Sequence, residues 1–191
     1  LGIKHALDSH KLDYIFSENS TTKSTSSTAS SLSGEESKKI ITSGLTYSIT
    51  SDTRDSFFNT KTGYRWSISN TLAGIGGDTN FIKSVAKYKI YYPINYGDYS
   101  INLRSGLGFI SSIDDKVTSS NRFHLGGRTL RGFSNSGVGP RDTGNSQVVG
   151  GNNFYNASLE LRSDEYMPDD TGLEWLLFSD MGSLWGTDFE S

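Results

Sequence analysis

The side chain with the most specific chemistry in this sequence is Arg131, in the run Leu130-Arg131-Gly132-Phe133. A guanidinium is permanently charged and offers five donors in a planar fork that matches a carboxylate two bonds at a time. Two acids stand where such a fork has a use. Glu160 falls on the polar parity of an alternating segment, and Asp180 interrupts the most apolar stretch of the chain, 173–185. An unpaired carboxylate buried there would be costly. If the long segment around Arg131 folds back over the surface carrying these acids, a bidentate, charge-assisted bond would pin it in place. Gly132 lets the backbone turn tightly beside the arginine, and Phe133 supplies apolar contact. This is the chemistry of docking rather than of bond breaking, and Asp180 reads as a structural partner rather than a catalyst.

Other chemistries find no footing. His5, His10 and His124 are scattered without metal-ligand spacing. The chain has no cysteine, hence no disulfide framework and no thiolate metal site. The run Gly132-Phe133-Ser134-Asn135-Ser136-Gly137 does not fit the nucleophile-elbow spacing. Asp114-Asp115 and Asp169-Asp170 read as solvated turns without a calcium-loop pattern. No enzyme, cofactor or metal is expected. A formal net charge of -3 argues against a general nucleic-acid binder. Lys83, Lys87 and Lys89 make a basic stripe on one strand, read as local electrostatics of a lumen or rim.

The elements that must position Arg131, Glu160 and Asp180 are strands. Apolar and polar residues alternate with period two over 40–51, 64–73, 82–94, 99–109 and 154–162. In the last of these Tyr155, Ala157, Leu159 and Leu161 oppose Asn156, Ser158, Glu160 and Arg162. The segment 173–185 is apolar on both parities apart from Glu174 and Asp180, and residues 1–7 read as the tail of a further strand. Each run is about ten residues, the length a tilted strand needs to cross a bilayer. A soluble sandwich alternates too, so the pattern alone leaves both architectures open.

The connections favour the barrel. Residues 17–37 are almost entirely Ser, Thr, Lys and Glu, a low-complexity loop, and 114–150 form a second long, Gly-rich connection. By contrast 52–62, 93–98 and 163–172 are shorter. Alternation of long and short connections is the habit of outer-membrane barrels, which puts 17–37, 74–80 and 114–150 outside the cell and the others in the periplasm. A mean hydropathy of -0.46 suits a wall in which only every second side chain meets lipid. The expected fold is therefore all-β: an incomplete transmembrane antiparallel barrel of six or seven strands, one partial domain over 1–191. No leader segment opens the chain at Leu1, so an exported protein is expected to extend beyond it.

Residues 126–151, GGRTLRGFSNSGVGPRDTGNSQVVGG, resemble the long sixth extracellular loop of BamA-type outer-membrane assembly factors, the bacterial surface antigen barrels. The tetrapeptide Leu130-Arg131-Gly132-Phe133 is that family's hallmark. Its flanks are present in order: Gly126-Gly127 before it, Gly139-Pro140-Arg141 after it, then Gly150-Gly151-Asn152 opening a strand through Ser158-Leu159-Glu160. Phe178-Ser179-Asp180-Met181-Gly182-Ser183-Leu184-Trp185 is similar to the family's next strand, and Asp52-Thr53-Arg54-Asp55 with Thr62-Gly63 to an upstream turn. The resemblance covers roughly residues 40–188. Secretion barrels of the same superfamily share the tetrapeptide.

The resemblance implies that the loop folds into the lumen and that Arg131 docks on Glu160 and Asp180. It implies a core component of the machinery that folds and inserts β-barrel proteins in a Gram-negative outer membrane without nucleotide hydrolysis. Its partners would be unfolded outer-membrane protein clients, accessory lipoproteins and the lipid bilayer, with no nucleic acid. The alternative is a translocation barrel exporting a dedicated partner.

Overall fold

The computed structural model describes residues 7–20, 39–94, 99–114, 116–144, 146–163, 167 and 173–188. Among the described residues seven strands form one sheet: β1 (Leu7–Ser20), β2 (Lys39–Asp52), β3 (Gly63–Ala73), β4 (Phe81–Ile94), β5 (Tyr99–Ser112), β6 (Asn153–Ser163) and β7 (Trp175–Trp185). Each pairs antiparallel with its sequence neighbour in the order β1 to β7, and β1 and β7 are the edges of an open sheet. Among the described residues no helix is long and apolar enough to cross a membrane.

The sequence reading places six of these strands to within three residues, the largest difference being β5, which runs to Ser112 where 109 was expected. The exception is β1. The expected strand tail at 1–7 lies almost wholly outside the described residues, and the strand itself occupies Leu7–Ser20. Residues 17–20, expected in the low-complexity loop, are its last four, pairing Ser17 with Thr42 and Ser20 with Lys39. The rest of that loop lies outside the described residues, as do 95–98 and most of 164–172.

Register sorts the side chains into two faces, because directly opposed residues point the same way. One face carries rows such as Ile49–Ile68–Ala86–Leu107–Tyr155 and Tyr64–Ile90–Leu103–Leu159. Its large apolar side chains are exposed, among them Leu72, Leu107, Leu159 and Leu177. Aromatic pairs stand at both ends of it, Tyr99 on Trp175 at 6.1 Å and Tyr155 on Trp185 at 6.0 Å between ring centroids. The other face is polar along most of its length. A sheet that shows its apolar residues outward and holds its charges inward inverts the arrangement of a soluble sandwich.

The connections 74–80 and 113–152 lie at one end of the sheet and 53–62 at the other, as the antiparallel order requires. The 113–152 segment packs over the polar face, and at its own end that face turns apolar to receive it. Inward-pointing Ala73, Phe81 and Ile110 bury Val117, while Leu184 buries Leu125 and Leu130. Phe123 of the segment joins both clusters and meets Phe154 of β6 with ring centroids 4.7 Å apart. Gly108 of β5 makes room for this pair: a Cβ there would lie 2.8 Å from Phe123 Cζ. The core therefore lies between loop and sheet.

Candidate functional site: a loop arginine clamped to the sheet wall

Asp180 and Ser158 face each other in register on β7 and β6, and Glu160 lies one inward position further along β6. Period two puts all three on the polar face. The loop brings Arg131 onto them. Its Nε donates to Asp180 Oδ2 at 2.7 Å and its Nη2 to Asp180 Oδ1 at 2.6 Å, a side-on fork. Nη1 donates to Glu160 Oε1 at 2.7 Å, and Nη2 also to Ser158 Oγ at 2.7 Å. The Arg131 backbone amide adds a bond to Asp180 Oδ2 at 3.0 Å. The guanidinium plane is covered by Phe178, whose ring centroid lies 3.7 Å from Arg131 Cζ.

The acids are removed from water while the arginine is only partly so. The side chains of Glu160 and Asp180 are 2% and 5% exposed, and that of Arg131 is 24%. Glu160 is shared: besides Arg131 it accepts from Arg104 Nη2 at 2.5 Å and Arg162 Nη2 at 3.0 Å. One buried carboxylate thus gathers three guanidinium groups. The arrangement can hold a loop tip. It offers no nucleophile paired with a base, and among the described residues no three His, Asp or Glu side chains group to hold a metal.

The other motif residues divide between anchoring and shaping. Leu130 is 3% exposed in the cluster with Leu125 and Leu184. Gly132 has φ +88 with nothing within 4 Å of a built Cβ, so its conformation rather than crowding calls for glycine there. Phe133, expected to supply apolar contact, is 53% exposed; Leu130 and Phe178 provide that contact. Its carbonyl accepts from Gly127 N at 3.0 Å, closing the turn that Gly126 opens with a bond from Thr129 Oγ1. Gly139 lies against Leu184, and the Pro140 carbonyl accepts from Val149 N. Arg141 stays within the loop, donating to the carbonyls of Ser146 and Gly137. Gly150 and Gly151 run beside Arg122 and Phe123, with Gly151 bonded to Phe123 in both directions.

Asn152 belongs to a second anchor that sequence reasoning missed. Asp188, just beyond β7, accepts from Asn152 Nδ2 at 2.9 Å and from Val117 N at 2.8 Å. Arg122, whose side chain is fully buried, lies 3.6 Å from the same carboxylate and donates to the Val117 carbonyl at 2.8 Å. The loop is therefore held at its base by Asp188 and at its tip by Asp180. Ser158, Arg104, Arg162 and Phe178 were also unforeseen as partners. Their parity pointed to the polar face, but only cross-strand register shows that they meet Arg131 or Glu160.

An open antiparallel sheet with an apolar outer face, aromatic ends and a long loop pinned to its polar face is a stretch of transmembrane β-barrel wall with the loop folded into the lumen. Residues 5–191 match the Omp85 superfamily domain, and the chain belongs to that superfamily of outer-membrane barrels. It is 32% identical over 149 residues to the outer membrane protein assembly factor BamA of Neorickettsia risticii (strain Illinois), covering 78% of this chain and 20% of that protein. It is 33% identical over 140 residues to the sorting and assembly machinery component 50 homolog of Mus musculus, covering 71% of this chain and 29% of that protein. The crystal structure of BamA from Haemophilus ducreyi lacking POTRA domains 1-3 superposes with a TM-score of 0.73 at 22% identity, over 80% of this chain and 31% of that one. The chain thus spans 20–31% of the length of these relatives.

Proposed function

We propose that this chain is the loop-bearing part of the barrel of a bacterial outer-membrane assembly factor, which folds and inserts other β-barrel proteins without nucleotide hydrolysis. The observation that carries this reading is the clamp of Arg131 on Asp180 and Glu160, set in a chain with assembly-factor relatives. The end that carries 74–80 and 113–152 faces outside the cell and the end that carries 53–62 the periplasm. The substrates are unfolded outer-membrane proteins, and accessory lipoproteins complete the machine.

The physical logic needs no fuel. An unfolded barrel protein in lipid carries strands whose N–H and C=O groups lack partners, and any open sheet edge is strongly driven to pair with them. A seam in the completed barrel offers such an edge. Templating there requires a wall that holds its shape while the seam opens, and a loop fastened to β6 and β7 at tip and base braces the wall from within. Arg131 is then a positioning residue for the lumen loop.

The test is depletion of the full-length protein in its own cell, with the folded forms of unrelated outer-membrane barrels quantified by heat-modifiable migration on gels. A general loss of folded barrels, restored by wild-type protein, is the expected result. Loss of a single exported product with other barrels intact would replace this reading with the translocation barrel.

A further inference from the structure

Beside the clamp, the polar face carries a group of cations that runs on across β3 and β4. In one register row across β2 to β7 stand Asp52, Arg65, Lys89, Arg104, Ser158 and Asp180. Its three central members are cations on adjacent strands, directly opposed. Such neighbours lie about 4.5–5.5 Å apart at Cα, and like charges so placed destabilise a sheet. Lys87, one inward position along β4, adds a fourth cation.

The acids nearby are already engaged, Glu160 in part by Arg104 of this row. Asp52 is held by Arg54 in a fork at 2.9 and 2.7 Å, leaving Arg65 a distant 3.8 Å contact. Glu160 already serves three arginines and Asp180 is taken by Arg131. Among the described residues Lys87 and Lys89 have no carboxylate partner, and Arg104 keeps a buried Nε without an acceptor. These cations line two clefts that meet at Lys89. One, of about 260 Å³, is walled by Arg65, Ser67, Lys87 and Lys89; the other, of about 200 Å³, includes Lys89, Arg104 and Arg162 together with the carboxylate of Glu160.

We propose that this row is a binding site for a phosphate group, carried by a lipid headgroup or free in the lumen water. A phosphate monoester brings nearly two negative charges and three acceptor oxygens to one point. A single carboxylate brings one charge and could not offset a cluster of this size. Two lysines supply mobile point charges, Arg65 a planar fork and Arg104 the charge that Glu160 shares among three arginines, a combination suited to an oxyanion approached from several sides. The site rests on this geometry alone and is independent of the assembly reading.

The test uses full-length protein purified in nonionic detergent, titrated calorimetrically with inorganic phosphate, inorganic pyrophosphate and short-chain phosphatidic acid. Wild type is compared with Lys87→Gln/Lys89→Gln, each checked for folding by heat-modifiable migration. If the double variant fails that check, the two single variants take its place. At least one phosphate probe is expected to bind, more weakly at high salt, and at least about tenfold more weakly in the variant. Binding of pyrophosphate or phosphate supports a soluble ligand, and binding of phosphatidic acid alone supports a lipid. The proposal is overturned if no phosphate probe binds or if variant and wild type bind equally. It is also overturned if a deca-glutamate peptide binds where the phosphate probes do not, which would assign the row to acidic polypeptide.

Discussion

The backbone amide of Arg131 and its own Nε converge on one oxygen, Oδ2 of Asp180, at 3.0 and 2.7 Å. Main chain and side chain of a single loop residue are thereby fastened to the same point on β7. The fork depends on guanidinium geometry, so charge alone does not replace it. Arg131→Lys should destabilise the docked loop nearly as much as Arg131→Ala, by up to about 3–5 kcal/mol, with lumen water lowering the figure. Limited proteolysis of residues 126–141 in detergent checks this. Cleavage of the lysine variant at the wild-type rate would contradict it.

Glu160 is the hub and Arg162 a peripheral member. The Glu160 side chain is 2% exposed and that of Arg162 is 43% exposed. Glu160→Gln leaves three guanidinium groups facing a neutral amide, whereas Arg162→Gln removes one partly solvated contact, with an effect of about 1 kcal/mol or less. The temperature at which the folded gel band converts to the unfolded one should fall clearly for Glu160→Gln and hardly for Arg162→Gln. Equal shifts would remove Glu160 from the centre of the network.

The base anchor can be separated from the tip. Asp188→Ala takes the acceptor from Val117 N and Asn152 Nδ2 and the nearest carboxylate from buried Arg122. Buried groups left unpaired cost about 1–3 kcal/mol. Hydrogen exchange at 116–125 should speed up while exchange at 129–132 stays near wild type. A uniform change along the loop would show that base and tip release together.

The turn between β2 and β3 carries a pH signature. Burial raises the Asp55 pKa, but backbone N–H groups outweigh it and hold the carboxyl below the ordinary aspartate value. Lys61 N is one donor, at 3.0 and 3.3 Å to the two oxygens. Because the folded value is the lower one, this contribution is complete above the unfolded value of about 4 and is lost as pH falls through the folded value. Exchange protection of the Lys61 amide, corrected for intrinsic rate, should hold down to about pH 4 and decline below it. Asp55→Asn should show a pH-independent, lower protection; a wild-type profile in that variant would discard the assignment.

Strand parity made much of this architecture legible before any coordinates. Asp180 stood out because a carboxylate that interrupts an apolar strand needs a partner, and Glu160 through its polar parity and the resemblance of the loop motif. What parity cannot supply is register. It gives the face of Ser158, Arg104 and Phe178 but not which neighbour each meets. β1 escaped because His10 and Glu18 fall on its apolar parity and Ile15 on its polar one, which blurs the alternation. Asp188 escaped because it lies past the end of β7, where no periodicity applies.

The most direct test of the central claim is reconstitution of the full-length protein in liposomes, wild type beside Arg131→Lys, with the initial folding rate of a urea-denatured outer-membrane barrel as readout. The variant should remain a heat-modifiable barrel yet fold its client at the rate of protein-free liposomes. Client folding at the wild-type rate, with the loop shown to be released, would contradict a role for the clamp in assembly.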